Sequence, residues 1–250
     1  MKHLIMMKNG LVLFLFLMLS LSCGGKVTTR TNPPEYKFTI NGVVVKDMNL
    51  GKDIAYFAIL RDDDPFEGAV VKVGSDTLVN QGNGNYYLEG FPLFSFEQTV
   101  TILISSTDDD FDLTKSVVIP GDFSIVELPE DDKLNVGGHS IDISWTPSVH
   151  ASGFFLSMVR PGGLSGYTMR DENKDRTEKI LPEAFRTSQD LVEEGFYEVY
   201  VIAYSESFLY YPGISFEMLP GLPTGNINGA NGTIGAGVIA PSVTIEVTSG

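Results

Sequence analysis

Beyond residue 36 the apolar residues fall at alternate positions almost without interruption, a spacing that suits strands and not helices. Val100, Ile102 and Ile104 alternate with Thr101 and Ser105, Ile141, Ile143 and Trp145 with Asp142 and Ser144, and Val243, Ile245 and Val247 with Thr244, Glu246 and Thr248. Successive side chains of a strand point to opposite faces, so each run reads as a half-buried antiparallel strand. Further strands are expected over residues 36–45, 54–61, 69–73, 86–89, 114–119, 154–159 and 196–204. The only helical expectation is a turn or two within residues 171–179 or 182–186.

Turn chemistry separates these runs. Asp62-Asp63-Asp64-Pro65, Asn80 to Asn85 with its two glycines, Pro120-Gly121-Asp122 and Pro161-Gly162-Gly163 supply the residues that bend a chain. Many short strands so punctuated predict an all-β protein built of sandwiches. A polar, turn-rich stretch around Leu128-Pro129-Glu130-Asp131-Asp132-Lys133 marks a boundary. The expected organisation is two tandem antiparallel β-sandwiches, residues 36–128 and 129–250, preceded by residues 1–22 and a tether over residues 23–35. The tether is rich in Gly, Thr, Asn and Pro, a flexible composition.

The amino terminus carries an address. Lys2 and Lys8 precede an apolar run from Leu11 to Leu19, which ends in Ser20-Leu21-Ser22-Cys23-Gly24-Gly25. A charged segment, a short apolar core and small residues make a secretory signal. The run falls short of the roughly 20 apolar residues of a membrane-spanning helix. This stretch resembles a bacterial lipoprotein signal peptide. The resemblance implies cleavage after Ser22, lipid modification of Cys23 and attachment to a membrane by acyl chains (palmitate among them) rather than by a spanning segment. Gly24 in place of Asp points, by the same resemblance, to the outer membrane, with either the periplasmic or the surface face open. Cys23 is the single cysteine, so no intramolecular disulfide forms.

Two further resemblances concern the folded part. Ser140 to Ser148 around Trp145, then Gly153-Phe154-Phe155-Leu156, then Gly195-Phe196-Tyr197-Glu198-Val199-Tyr200-Val201, together resemble a fibronectin type III domain. Gly68 to Gly74 followed by Gly84-Asn85-Tyr86-Tyr87-Leu88 resembles the Ig-like or transthyretin-like modules of bacterial secreted proteins. Residues 161–191 and the glycine-rich stretch 221–237 depart from the fibronectin pattern.

Charge narrows the partners. Lys and Arg number 17 against 32 Asp and Glu, a formal charge of −15. Loss of residues 1–22 removes Lys2 and Lys8, leaving 15 − 32 = −17. No basic residue follows Arg186, so nucleic acid and phosphate are poor ligands. Ser165 lacks the Gly-x-Ser-x-Gly setting of a hydrolase nucleophile, and His139 and His150 read as turn or edge residues. No catalytic residue is assigned, and the chain is expected not to be an enzyme. Asp171, Asn173 and Asp175 offer oxygens at the first, third and fifth positions of a loop, the spacing of a calcium site. Arg176 and Pro182 stand where that loop needs Gly and Glu, and a solvated charged loop explains the run as well; apart from a structural calcium ion, no cofactor is expected. Phe94 and Phe96, and Phe208, Tyr210 and Tyr211, place rings beside Pro in expected loops, where a sandwich presents contact surface. Packing in the core is the competing account of these rings. The expected function is a cell-envelope lipoprotein acting in binding, adhesion or assembly, with an envelope protein or a glycan as partner; the alternative is a carbohydrate-binding or polysaccharide-processing accessory.

Overall fold

Each alternating run forms a strand in the computed structural model, which describes residues 36–127, 133–135, 141–160, 166–171, 177–180, 185, 193–206 and 225–248. The first ten strands are β1 (Phe38–Asp47), β2 (Lys52–Arg61), β3 (Asp64–Pro65), β4 (Val70–Val73), β5 (Asp76–Thr77), β6 (Val79–Gly82), β7 (Asn85–Gly90), β8 (Thr99–Ser106), β9 (Phe111–Val118) and β10 (Ile125–Glu127). Eight more follow: β11 (Lys133–Asn135), β12 (Ile141–Trp145), β13 (Gly153–Val159), β14 (Gly166–Asp171), β15 (Thr177–Ile180), β16 (Gly195–Ser205), β17 (Asn231–Ile239) and β18 (Val243–Thr248). The protein is all-β, as its periodicity requires. The helix expected over residues 171–179 is replaced in part by β15, which pairs with β12 from Ile141–Ile180 to Ser144–Thr177. Of residues 182–186 only Phe185 is described, and its ring is buried against Tyr197.

The strands make three sheets. The largest has eleven strands, in the order β11-β18-β16-β17-β1-β2-β7-β6, with β13 and β14 joined at β16 and β3 at β2. A four-stranded sheet, β5-β4-β8-β9, and a three-stranded sheet, β10-β12-β15, complete the set. Alternate residues of the large sheet, Phe38, Ile40 and Val44 of β1 and Phe57 and Ile59 of β2, share one core with Val71, Ile102, Ile104 and Val117 of the four-stranded sheet. That core continues without a break to Ile143, Trp145, Phe154, Val199, Val201 and Ile245. Burying each such side chain contributes about 1.5–3 kcal/mol before ordering costs.

The pairing of β1 crosses the expected division of the chain. On one side β1 is antiparallel to β2, from Phe38–Arg61 to Asp47–Lys52. On the other it runs parallel to β17, from Thr39–Asn231 to Asp47–Ile239. The first and last thirds of the chain therefore share a sheet, and residues 36–250 form one compact unit. The boundary at residue 128 lies outside the described residues. A uniformly antiparallel architecture was the expectation; β1–β17 and β11–β18 are parallel instead. Parallel strands are covered on both faces and lose the apolar–polar alternation. Ile234-Gly235-Ala236-Gly237-Val238-Ile239 of β17 is buried at every position, and so is Val43-Val44-Val45 of β1. Their second face belongs to a separate cluster of Val43, Val45, Ile54, Phe155, Ile202, Tyr204 and Ile239.

Hydrogen bonds and an ion pair tie the four-stranded sheet and the segment after it to later parts of the chain. Ser205 Oγ donates to the Val118 carbonyl, and Lys115 Nζ meets Glu206 Oε2 at 2.7 Å. Asn226 Nδ2 donates to the same Glu206 oxygen at 3.0 Å, and Gly121 N donates to Val149 O at 2.8 Å.

Glycine admits the close approach at the start of the parallel pair. Gly232 has φ +98°, and a Cβ there would lie 2.1 Å from the Ile40 carbonyl oxygen. Gly229, at φ +91°, has nothing within 4 Å of that point. Gly232→Ala is expected to cost about 2 kcal/mol or more, and Gly229→Ala about 1 kcal/mol, in urea unfolding followed by circular dichroism.

Candidate functional site

The inward phase of β1 reads Phe38, Ile40, Gly42, Val44 and then Lys46; that of β2 reads Asp53, Ala55, Phe57 and Ile59. A cation and an anion thus fall where the pattern calls for apolar residues, opposite each other in register. Both are buried: the Lys46 side chain is 8% exposed and that of Asp53 is 0% exposed. Removing two charges from water costs several kcal/mol each unless every polar atom finds a partner.

Residues 91–96 supply the partners. β7 belongs to the large sheet and β8 to the four-stranded sheet, so the connection must cross between sheets at one end of the sandwich. Its backbone amides have no ladder to join there and need other acceptors. Asp53 Oδ2 accepts from Leu93 N at 2.7 Å and from Phe94 N at 2.9 Å. Lys46 Nζ lies 3.3 Å from Asp53 Oδ1 and donates to the Phe94 carbonyl at 3.0 Å. The same ammonium stands 5.2 Å from the ring centre of Phe91 and 5.1 Å from that of Phe96, within cation–π range. The Phe91–Pro92 peptide bond is cis.

This arrangement sorts the expected aromatic candidates. Phe94 is 5% exposed and belongs to the core, so its ring offers no contact surface. Phe96 is partly buried against the same core. Phe91, earlier in the same run, is 65% exposed. The β1–β2 turn lies at this end too and carries Leu50, 59% exposed, whose amide is fixed by Asp47 Oδ1 at 2.8 Å. Asn49 of that turn accepts from the Ser242 amide at 3.0 Å, and Met48 N donates to Ile239 O at 3.0 Å, which bind the turn to the β17–β18 connection. Two exposed apolar side chains therefore stand on loops with well-satisfied backbones.

The remaining candidates fall elsewhere. Cys23, Phe208, Tyr210, Tyr211, Asn173 and Asp175 lie outside the described residues, and Asp171 is the last residue of β14. Among the described residues no group of three or more His, Cys, Asp or Glu converges as a metal site. His150 sits exposed in a turn at φ +62°. On the outer face of the large sheet, Tyr56 and Tyr87 are neighbours in register. Tyr56 donates to Asn85 Oδ1 at 2.6 Å, and Tyr87 donates to Glu89, which also meets Lys52 Nζ at 2.9 Å. Burial, then the Glu89 carboxylate, push the Tyr87 phenol up to about 12, so it stays a hydrogen-bond donor at neutral pH.

At the opposite end of β1 an acidic turn is already engaged. Lys37 and Arg61 both donate to Asp109, Arg61 Nη1 at 2.9 Å. The hydrogen bond from Lys37, then that from Arg61, hold the Asp109 carboxyl below its ordinary value.

Comparison with known proteins adds little beyond this. No protein-family model matches the chain, and no curated protein matches it. Among solved structures it is similar to a segment of two fibronectin type III domains from chicken tenascin, at 17% identity and a TM-score of 0.23, over 60% of this chain and 83% of that one. The class is defined by the sheets themselves: an all-β protein of the β-sandwich type.

Two outcomes follow from these charges. Lys46→Met alone strands the Asp53 carboxylate and is expected to cost about 3–5 kcal/mol, whereas Lys46→Met with Asp53→Leu recovers most of that loss in the same unfolding assay. Asp109, with a lowered folded-state pKa, contributes stability above the unfolded carboxyl value of about 3.9, and that contribution fades as pH falls through the folded pKa. Asp109→Asn should thus lower the melting temperature at pH 7 and lose its effect in strong acid.

Proposed function

We propose that the chain is a lipid-anchored binding or assembly module of the bacterial cell envelope, without catalytic activity of its own. Cys23 and the tether over residues 24–35 hold it at the outer membrane, and the Leu50–Phe91 end of the sandwich meets a protein partner. The observation that carries this reading is an aromatic ring left 65% exposed on a connection whose amides are gripped by a buried carboxylate. Few interface residues carry most of the affinity, and large rings on pre-ordered backbone are favoured among them.

The geometry of β1 suits an anchored module. The chain enters the sandwich at Phe38, and ten residues of strand, about 33 Å at roughly 3.3 Å each, separate that entry from the turn bearing Leu50. A tether that joins the chain before Tyr36 meets β1 at its Phe38 end, and Leu50 follows its other end. The −17 charge after cleavage disfavours anionic lipid as the ligand of that end.

The test places a photo-crosslinking amino acid at Leu50 in cells and compares adducts from the wild-type background, Phe91→Ala and Cys23→Ser. A discrete protein adduct that Phe91→Ala reduces tenfold or more, and that depends on Cys23, is the expected result. An adduct pattern indifferent to Phe91 removes this end of the sandwich from the contact.

A further inference from the structure

We infer that Lys46 and Asp53 are positioning residues, which hold the connection bearing Phe91 in one conformation so that its ring is presented ready-made to an apolar pocket on the protein partner. This rests on the reading of the Leu50–Phe91 end as the contact surface and adds the device that sets it.

The argument starts from a placement that stability alone does not demand. The two charges stand at inward positions of β1 and β2, where apolar residues of similar volume serve a core at least as well. What an apolar pair lacks is an acceptor for the Leu93 and Phe94 amides and a donor for the Phe94 carbonyl. Asp53 spends one oxygen on both amides and the other on Lys46. Lys46 in turn spans the carboxylate, the Phe94 carbonyl and the rings of Phe91 and Phe96. Every one of these partners belongs either to the pair itself or to residues 91–96, so the pair is directed at this connection. The ring of Phe91 remains 65% exposed, so burial holds it only in part, and the Lys46 ammonium 5.2 Å from its centre is a contact that favours this direction. Ordering paid for during folding does not have to be paid again on association, and that difference appears as affinity.

The experiment uses the full chain carrying Lys46→Met with Asp53→Leu, a pair of substitutions that leaves no buried charge, alongside Asp53→Asn. Hydrogen exchange reads the Leu93 and Phe94 amides, thermal unfolding reads the whole fold, and crosslinking from Leu50 reads the contact. The expected result is a fall of about 100-fold in protection at those two amides, chymotrypsin cleavage after Phe94 or Phe96 that wild type resists, a melting temperature for the double variant well above that of Lys46→Met alone, and an adduct weakened as much as by Phe91→Ala. Amides as protected in the double variant as in wild type overturn the inference. Loosened amides with an undiminished adduct also overturn it, while the sensitivity to Phe91→Ala shows that the contact reading survives. An adduct that Phe91→Ala itself leaves unchanged sinks the contact reading, and the inference falls with it.

Discussion

Everything in this fold hangs on the two-sided pairing of β1. Its antiparallel bond to β2 builds one half of the sandwich, and its parallel bond to β17 makes that half continuous with strands from the far end of the sequence. Because both flanks of β1 are taken, both faces of its middle are covered, and Val43, Val44 and Val45 are all buried. The parallel neighbour must then be slim where the chains approach most closely. Gly232 meets that demand, since a Cβ at this position would lie 2.1 Å from the Ile40 carbonyl oxygen. A long-range pair of this kind brings together residues almost 200 positions apart, which favours slow and highly cooperative folding.

The buried ion pair belongs to the same strand and solves a different problem. A sandwich must carry its chain from one sheet to the other, and the crossing leaves amides that no ladder can satisfy. Here the crossing is anchored by charge at its centre and by Ser95 N to Gln98 Oε1 and Glu97 N to Ile119 O at its exit. The result is a connection that is ordered by its backbone and carries one largely exposed aromatic ring, Phe91.

Much of the architecture was legible in the alternation of apolar residues, because a half-buried strand writes its geometry directly into period two. β8, β12, β13, β16 and β18 follow the expected runs closely. β17 was hidden for a physical reason. A parallel strand covered on both faces has no polar phase, and its glycines, with Asn231-Gly232 at its head, imitate turn chemistry. The helical turn expected within residues 171–179 gives way over residues 177–180 to pairing with β12. Within Phe91 to Phe96 the sequence located the cluster but not its exposed member, since a crossing segment has no period to tell inside from outside. Phe94 turned inward, and Phe91 outward. Lys46 and Asp53 did leave a signal: a charge of each sign on the inward phase of neighbouring strands.

The run of β1 from Phe38 to Asp47 has one more consequence. A pull at Tyr36 directed along the axis of that strand would strain the bonds to β2 and to β17 together in shear. An edge hairpin under the same load would unzip one rung at a time. With a partner along each flank, β1 is thus a strand well placed to bear a load applied at Tyr36.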